Sequence, residues 1–251
     1  MSLNKYGQIL YEHAIQALAE MIEAQHEIND LVDPLHGTIS LAFIQSLGLS
    51  FVPDLISSFK KQYPDVKFQL SQDTTTKIIS QIEAAEIDIG FCSPQEIMQG
   101  LSQYPIIKEE LFIIVPKDHP LAERTRVDLL QVADEPFISF KSETALRDVI
   151  DSLCQEAGFK PKIIFEGIDE RTVVGLVGAK LGIALVPKTP ELDRDKIEMI
   201  SVQKPTCLRT IHAVWRTEGY MPPVLQRFKT FIESTMGLEL IKKDCLSRQS
   251  P

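Results

Sequence analysis

Gly37-Thr38-Ile39-Ser40-Leu41-Ala42-Phe43-Ile44-Gln45-Ser46-Leu47-Gly48 is the stretch from which the rest of the chain can be read. Ile39, Leu41 and Phe43 alternate as in a strand, and Val52, Leu55, Ile56 and Phe59 follow at helical spacing. Tyr63-Pro64-Asp65 is a turn, and Val66, Phe68 and Leu70 make a second strand. Ile78, Ile79, Ile82 and Ala85 mark a second helix, followed by the strand Ile87-Asp88-Ile89-Gly90-Phe91. The order β-α-β-α-β predicts a mostly parallel, doubly wound sheet.

Downstream the pattern repeats. Leu111-Phe112-Ile113-Ile114-Val115 is a strand stopped by Pro116, and Pro136 to Phe140 is another. Leu146, Val149, Ile150 and Leu153 lie on one helix ended by Gly158. The strand Ile163-Ile164-Phe165, a helix around Val173 to Val177, and the strand Gly182 to Pro187 complete a second α/β unit. A strand from Leu208 to Trp215 and a helix from Pro222 to Ser234 close the fold, and the polar residues from Lys242 to Pro251 are expected to fray. Two such halves with two chain crossings predict a ligand cleft between them.

Upstream, Tyr11, Ile15, Leu18 and Ile22 step by alternating threes and fours, and Ile28 and Leu31 resume the stripe. A seam that narrow suits pairing with another helix, although packing on its own domain is the alternative. Pro34 and Gly37 are expected to end it. From residue 1 to 36 there is one base, Lys5, against six acids, so this helix does not suit DNA.

The whole chain of 251 residues carries 35 acidic and 26 basic residues, a net charge of −9. That opposes the basic face a nucleic-acid binder needs. Cys92, Cys154, Cys207 and Cys245 are scattered without a C-x-x-C pair, so isolated thiols are expected, with neither a metal site nor a cofactor. No apolar run reaches the ~18 residues of a membrane helix, and no signal peptide precedes the helix, so a cytoplasmic chain with no membrane partner is expected.

Four segments carry a family resemblance: Gly37 to Ala42 with Pro53 and Pro64-Asp65-Val66; Ile87 to Phe91; Glu110 to Pro116 with His119-Pro120-Leu121-Ala122; and Gly158-Phe159-x-Pro161 with Val177 to Pro187. In order and spacing the chain resembles the effector-binding part of LysR-type transcriptional regulators, from about residue 6 to residue 236. The resemblance implies two Rossmann-like subdomains in a periplasmic-binding-protein-like arrangement, preceded by a linker helix. On that reading residues 1–36 are the linker and dimerisation helix, and 37–110 with 211–236 form subdomain I. Residues 111–210 then form subdomain II and 237–251 a polar tail. The family's winged helix-turn-helix has no counterpart here, so operator DNA is expected to be bound only through an N-terminal domain absent from this chain.

The candidate effector site starts at Gln45, Ser46 and Leu47, the turn from first strand to first helix. In open α/β sheets ligands sit at the carboxyl ends of strands, where helix N-termini favour anions. Ser46 matches the family's effector-contacting Ser/Thr, although a simple helix cap would also place a serine there. Thr74 is a second candidate with the same alternative, and Asp73 adds a negative charge beside it. By resemblance Ser142 or Thr144 and Ile168 face the cleft from the second half. Arg147 and Arg171 either neutralise an acidic effector or pair with nearby surface acids. His119 belongs to a turn motif, and His212 has no Ser or Cys partner suggested by the sequence.

The resemblance further implies a homodimer or homotetramer. It places Ile78, Ile79 and Ile82 of one copy's helix against Leu146, Val149 and Ile150 of the other's. The function expected is an effector-sensing and oligomerising module that binds a small anionic metabolite. A solute-binding protein of a transport system is the alternative. No nucleophile, general base or P-loop pattern supports an enzyme.

Overall fold

The computed structural model describes residues 4–32, 37–94, 99–188 and 195–247. Helix α1 (Lys5–Val32) is one continuous helix of 28 residues. Pro34, expected to end it, lies outside the described residues.

The decisive stretch folds as its periodicity requires. Strand β1 (Thr38–Phe43), helix α2 (Phe51–Lys60), strand β2 (Lys67–Gln72), helix α3 (Thr75–Glu83) and strand β3 (Ile89–Cys92) follow in order. β1 lies between β2 and β3 and runs parallel to both. Ile39, Leu41 and Ala42 are fully buried, as in a parallel strand covered on both faces. Gly90 permits the closest of these contacts, since a Cβ there would lie 2.3 Å from Ile78 Cγ2 of α3.

Strand β4 (Leu101–Pro116) is far longer than the Leu111–Val115 run expected. After it come β5 (Arg126–Asp128), β6 (Pro136–Phe140), α4 (Ala145–Glu156), β7 (Lys162–Gly167), α5 (Glu170–Gly178), β8 (Ala184–Pro187) and β9 (Ile197–Lys204). β10 (Leu208–Arg216) and α6 (Pro223–Ser247) end the chain. From Leu101 to Glu110, β4 pairs antiparallel with β10, which in turn pairs with β3. From Leu111 onward it pairs with β8 and β9 instead. β4 therefore belongs to two halves, with the change of partner at Glu110/Leu111. The chain returns through residues 205–207, where the Leu111 N–H donates to the Cys207 carbonyl at 2.8 Å.

Two separate cores result. Lobe I gathers Phe59, Phe91 and Ile82, with Phe228 of α6 set edge-on to Phe59 at 4.9 Å between ring centroids. Lobe II gathers Leu111, Phe137, Ile150, Val173 and Ile200. The cleft between these lobes lies beside the crossing strands.

The differences from the sequence reading have physical causes. Leu101 to Glu110 is polar and contains Pro105, so it shows no period-two pattern. The ladder absorbs that proline with a register shift opposite Ile211/His212. β10 joins β4 at Leu208, ahead of the expected boundary at 211. The helix expected to stop at Ser234 continues to Ser247, so residues 237–247 are helical where a polar tail was expected. Leu238, Glu239, Leu240, Lys242 and Lys243 are all good helix formers, and they outweigh Gly237.

Candidate functional site

A cleft of about 280 Å³ opens between the lobes. Its lobe I wall is built at the ends of two parallel strands. After β1, Gln45–Leu47 form a single 3₁₀ turn. Neither that turn nor α2 has a side-chain cap, so the Ser46 hydroxyl caps no helix. It accepts instead from Arg209 Nη2 at 3.1 Å. After β2, Thr74 is the N-cap residue of α3 but makes no side-chain capping bond, leaving that first turn without a side-chain acceptor. Thr75 Oγ1 accepts from the Ser93 N–H at 3.3 Å and is buried.

Arg209 forms the floor. Its residue is 3% exposed, and its Nε and Nη2 both donate to Glu109 Oε2, at 2.9 and 2.5 Å. Arg209 on β10 and Glu109 on β4 are direct cross-strand partners. A guanidinium this deep must be paired, and the pair sits where β4 leaves lobe I. Nη1 has no bonding partner among the described residues.

The lobe II wall comes from the turns before α4 and α5. Thr144 lines the cleft but is occupied as the α4 cap, accepting from the Arg147 N–H at 3.4 Å and donating to the Lys141 carbonyl. Ile168 lines it as an exposed apolar side chain. Glu170 opens α5, and burial pushes its carboxyl above the ordinary range, partly offset by its own backbone N–H and the Arg209 charge. Asp73 is held by Lys77 at 2.6 Å.

Gln45, Ser46, Thr74, Thr144 and Ile168 are thus brought to one cleft. Leu47 is not, because it is buried in the lobe I core, and Ser142 is exposed outside the lining. Arg147 is spent on Asp151 and Glu166, and Arg171 does not line the cleft. His119 Nδ1 accepts from the Leu121 N–H, which fixes a turn. Cys92, Cys154 and Cys207 are free, and burial pushes each thiol up to about 12, so none is a ready nucleophile. Of the residues expected at a dimer interface, Ile78, Ile79, Ile82, Leu146 and Ile150 are buried in their own lobes. Only Val149 keeps partial exposure, because the apolar stripes of α3 and α4 are no wider than their cores require.

Arg209 and Glu170 were missed. Arg209 had a signal: it shares the alternation of Ile211 and Ala213, the buried face of β10, where a charge requires a reason. Glu170 had none, since acids are ordinary in the first turn of a helix.

The LysR substrate binding domain matches residues 33–237. The chain belongs to the LysR family. It is 36% identical over 234 residues to the uncharacterized HTH-type transcriptional regulator YybE of Bacillus subtilis, spanning 93% of this chain and 80% of that one. It is 27% identical over 235 residues to the transcriptional dual regulator GltC of the same organism, covering 92% and 78%. Among solved structures, the effector-binding domain of QuiR in complex with shikimate superposes with a TM-score of 0.76 at 32% identity, covering 80% of this chain and 98% of that one. In this LysR-type domain the two-lobed α/β fold and the cleft are family features, whereas the Arg209–Glu109–Ser46 contact is read from the chain itself.

Arg209→Ala strands Glu109, whose side chain is 22% exposed. The expected destabilisation is about 3 kcal/mol, the low end for a broken buried pair. Replacing both partners, Arg209→Met with Glu109→Leu, is expected to cost less than Arg209→Ala alone. Urea unfolding of the three proteins checks this, and a double variant no more stable than Arg209→Ala would contradict it.

Proposed function

We propose that this chain is the effector-sensing module of a LysR-type transcriptional regulator and that its effector is a small hydroxylated monocarboxylate bound between the lobes. The observation that carries this reading is the Ser46 hydroxyl, the buried Arg209 guanidinium and the uncapped start of α3 together on one wall. Each favours a carboxylate: a hydroxyl donor, a fixed positive charge, and free N–H groups at the positive end of a helix dipole. The opposite wall supplies acceptors, Glu143 and Glu170, which suit hydroxyl groups and oppose a second anionic centre. A volume of about 280 Å³ falls just under the ~300 Å³ lower bound for drug-sized ligands, and so fits a compact metabolite. Shikimate, held by the structural neighbour, is a ring carboxylate with hydroxyl substituents. Membership in a family of regulators leaves the transport reading without support.

Binding that touches both lobes favours their closed arrangement, and α1 is the element through which a DNA-binding domain would receive the change. Operator DNA enters this account only through such a domain. Tyr6 and Leu10 of α1 are 82% and 70% exposed, which is apolar surface suited to a second copy of the helix. Sedimentation is expected to give a dimer or larger; a monomer at micromolar concentration would contradict self-association.

Ser46→Ala removes one hydrogen bond to the carboxylate and no helix cap. Affinity for shikimate is expected to fall on the order of tenfold to a hundredfold, from roughly 1.5–3 kcal/mol for a charge-assisted bond, with a smaller loss of stability because Arg209 Nη2 loses its Ser46 acceptor and keeps Glu109. Calorimetric titration measures this. Unchanged affinity would place the carboxylate elsewhere.

A further inference from the structure

Every ionised group in the cleft walls except Glu170 is either paired or out in solvent. Asp73 is tied to Lys77 and Arg209 to Glu109, while Lys141 and Glu143 are exposed. Glu170 lines the cleft half-buried, and no other side chain bonds or ion-pairs with it among the described residues. The charged groups that face it are Arg209 from β10, Glu109 from β4 and Asp169, its own helix's cap. Asp169 is already committed to Thr172, and Arg209 and Glu109 to each other. Glu170, whose carboxyl accepts from its own backbone N–H, therefore presents to the cleft from lobe II a carboxyl that no other side chain engages among the described residues, opposite the Ser46 wall of lobe I.

Resting on the effector reading above, we propose that Glu170 is the specificity-determining residue of the cleft. Its carboxyl takes up the hydroxyl groups of a ligand whose carboxylate is held by Ser46 and Arg209, so the domain selects hydroxylated monocarboxylates over plain carboxylates of the same shape. A half-buried carboxyl that the ligand shields from water makes such discrimination possible, because the analogue lacking the hydroxyl desolvates it and leaves it without a ligand partner. The same wall rejects a second carboxylate or a phosphate, which would face Glu143 and Glu170 with like charge. Burial that favours the neutral acid suits a hydroxyl, with which either protonation state can bond, better than an ammonium, which needs the charged form.

Three probes with similar six-membered rings separate the possibilities: shikimate, cyclohex-1-ene-1-carboxylate, which lacks the hydroxyls, and 4-aminocyclohexanecarboxylate, which carries an ammonium. Each is titrated calorimetrically into wild type, Glu170→Ala and Glu170→Gln. Wild type is expected to prefer shikimate to the hydroxyl-free acid by about tenfold or more. Glu170→Ala is expected to lose that preference while binding the hydroxyl-free acid as wild type does, which also shows that the variant is folded. Glu170→Gln, which keeps hydrogen-bonding atoms in place, is expected to retain part of it. A preference that survives in Glu170→Ala overturns the assignment, as does tightest binding of the amino acid. Equal binding of both carboxylates by wild type overturns this inference and leaves the effector reading standing. Binding of none of the probes overturns both.

Discussion

The placement of one buried guanidinium organises this molecule. Arg209 sits on the inward face of β10, where its charge is tolerable only because Glu109 lies directly across the ladder and Ser46 lies at the end of β1. Those three contacts join the next-to-last lobe I rung of β4, the return strand β10 and the turn beside the cleft. The pair lies one residue before the Glu110/Leu111 switch, beside the two chain crossings between the lobes, β4 and residues 205–207. A ligand that meets Arg209 and Ser46 therefore acts at the junction rather than on either lobe alone.

Much of this could be read in the sequence, for reasons tied to burial. β1, β3 and β8 are covered on both faces, so they appear as apolar runs flanked by helical spacings. The site turn was found because parallel sheets open at their carboxyl ends, which singles out the residues after Phe43 and after Gln72. The sequence could not say which side of that turn faces the cleft. Leu47 went into the core and Ser46 into the cleft, although they are neighbours. The first part of β4 escaped notice because a strand that crosses between sheets, with Pro105 in it, has no single buried face. Glu170 was invisible because its meaning comes from Arg209 and Glu109, which are distant in sequence.

The walls divide the labour of recognition. Lobe I offers donors and positive potential; lobe II offers acceptors on the turns before α4 and α5. Neither wall alone satisfies a ligand with a carboxylate and hydroxyls, so the full binding energy is gained only when both are engaged. Such a ligand shifts the population toward one relative placement of the lobes by as much as its affinity differs between placements. That is the physical requirement for a sensor, and it needs no catalytic group. On the self-association proposed above, the exposed apolar side chains of α1 would carry the shift to a second copy.

Hydrogen exchange with and without a carboxylate that raises the melting temperature tests the two-walled cleft most directly. The account predicts slowed exchange in both lobes at once, around Gln45–Ser46 and Thr74–Thr75 on one side and around Glu143–Thr144 and Glu170 on the other. Protection confined to a single lobe, or to surfaces away from these turns, would contradict it.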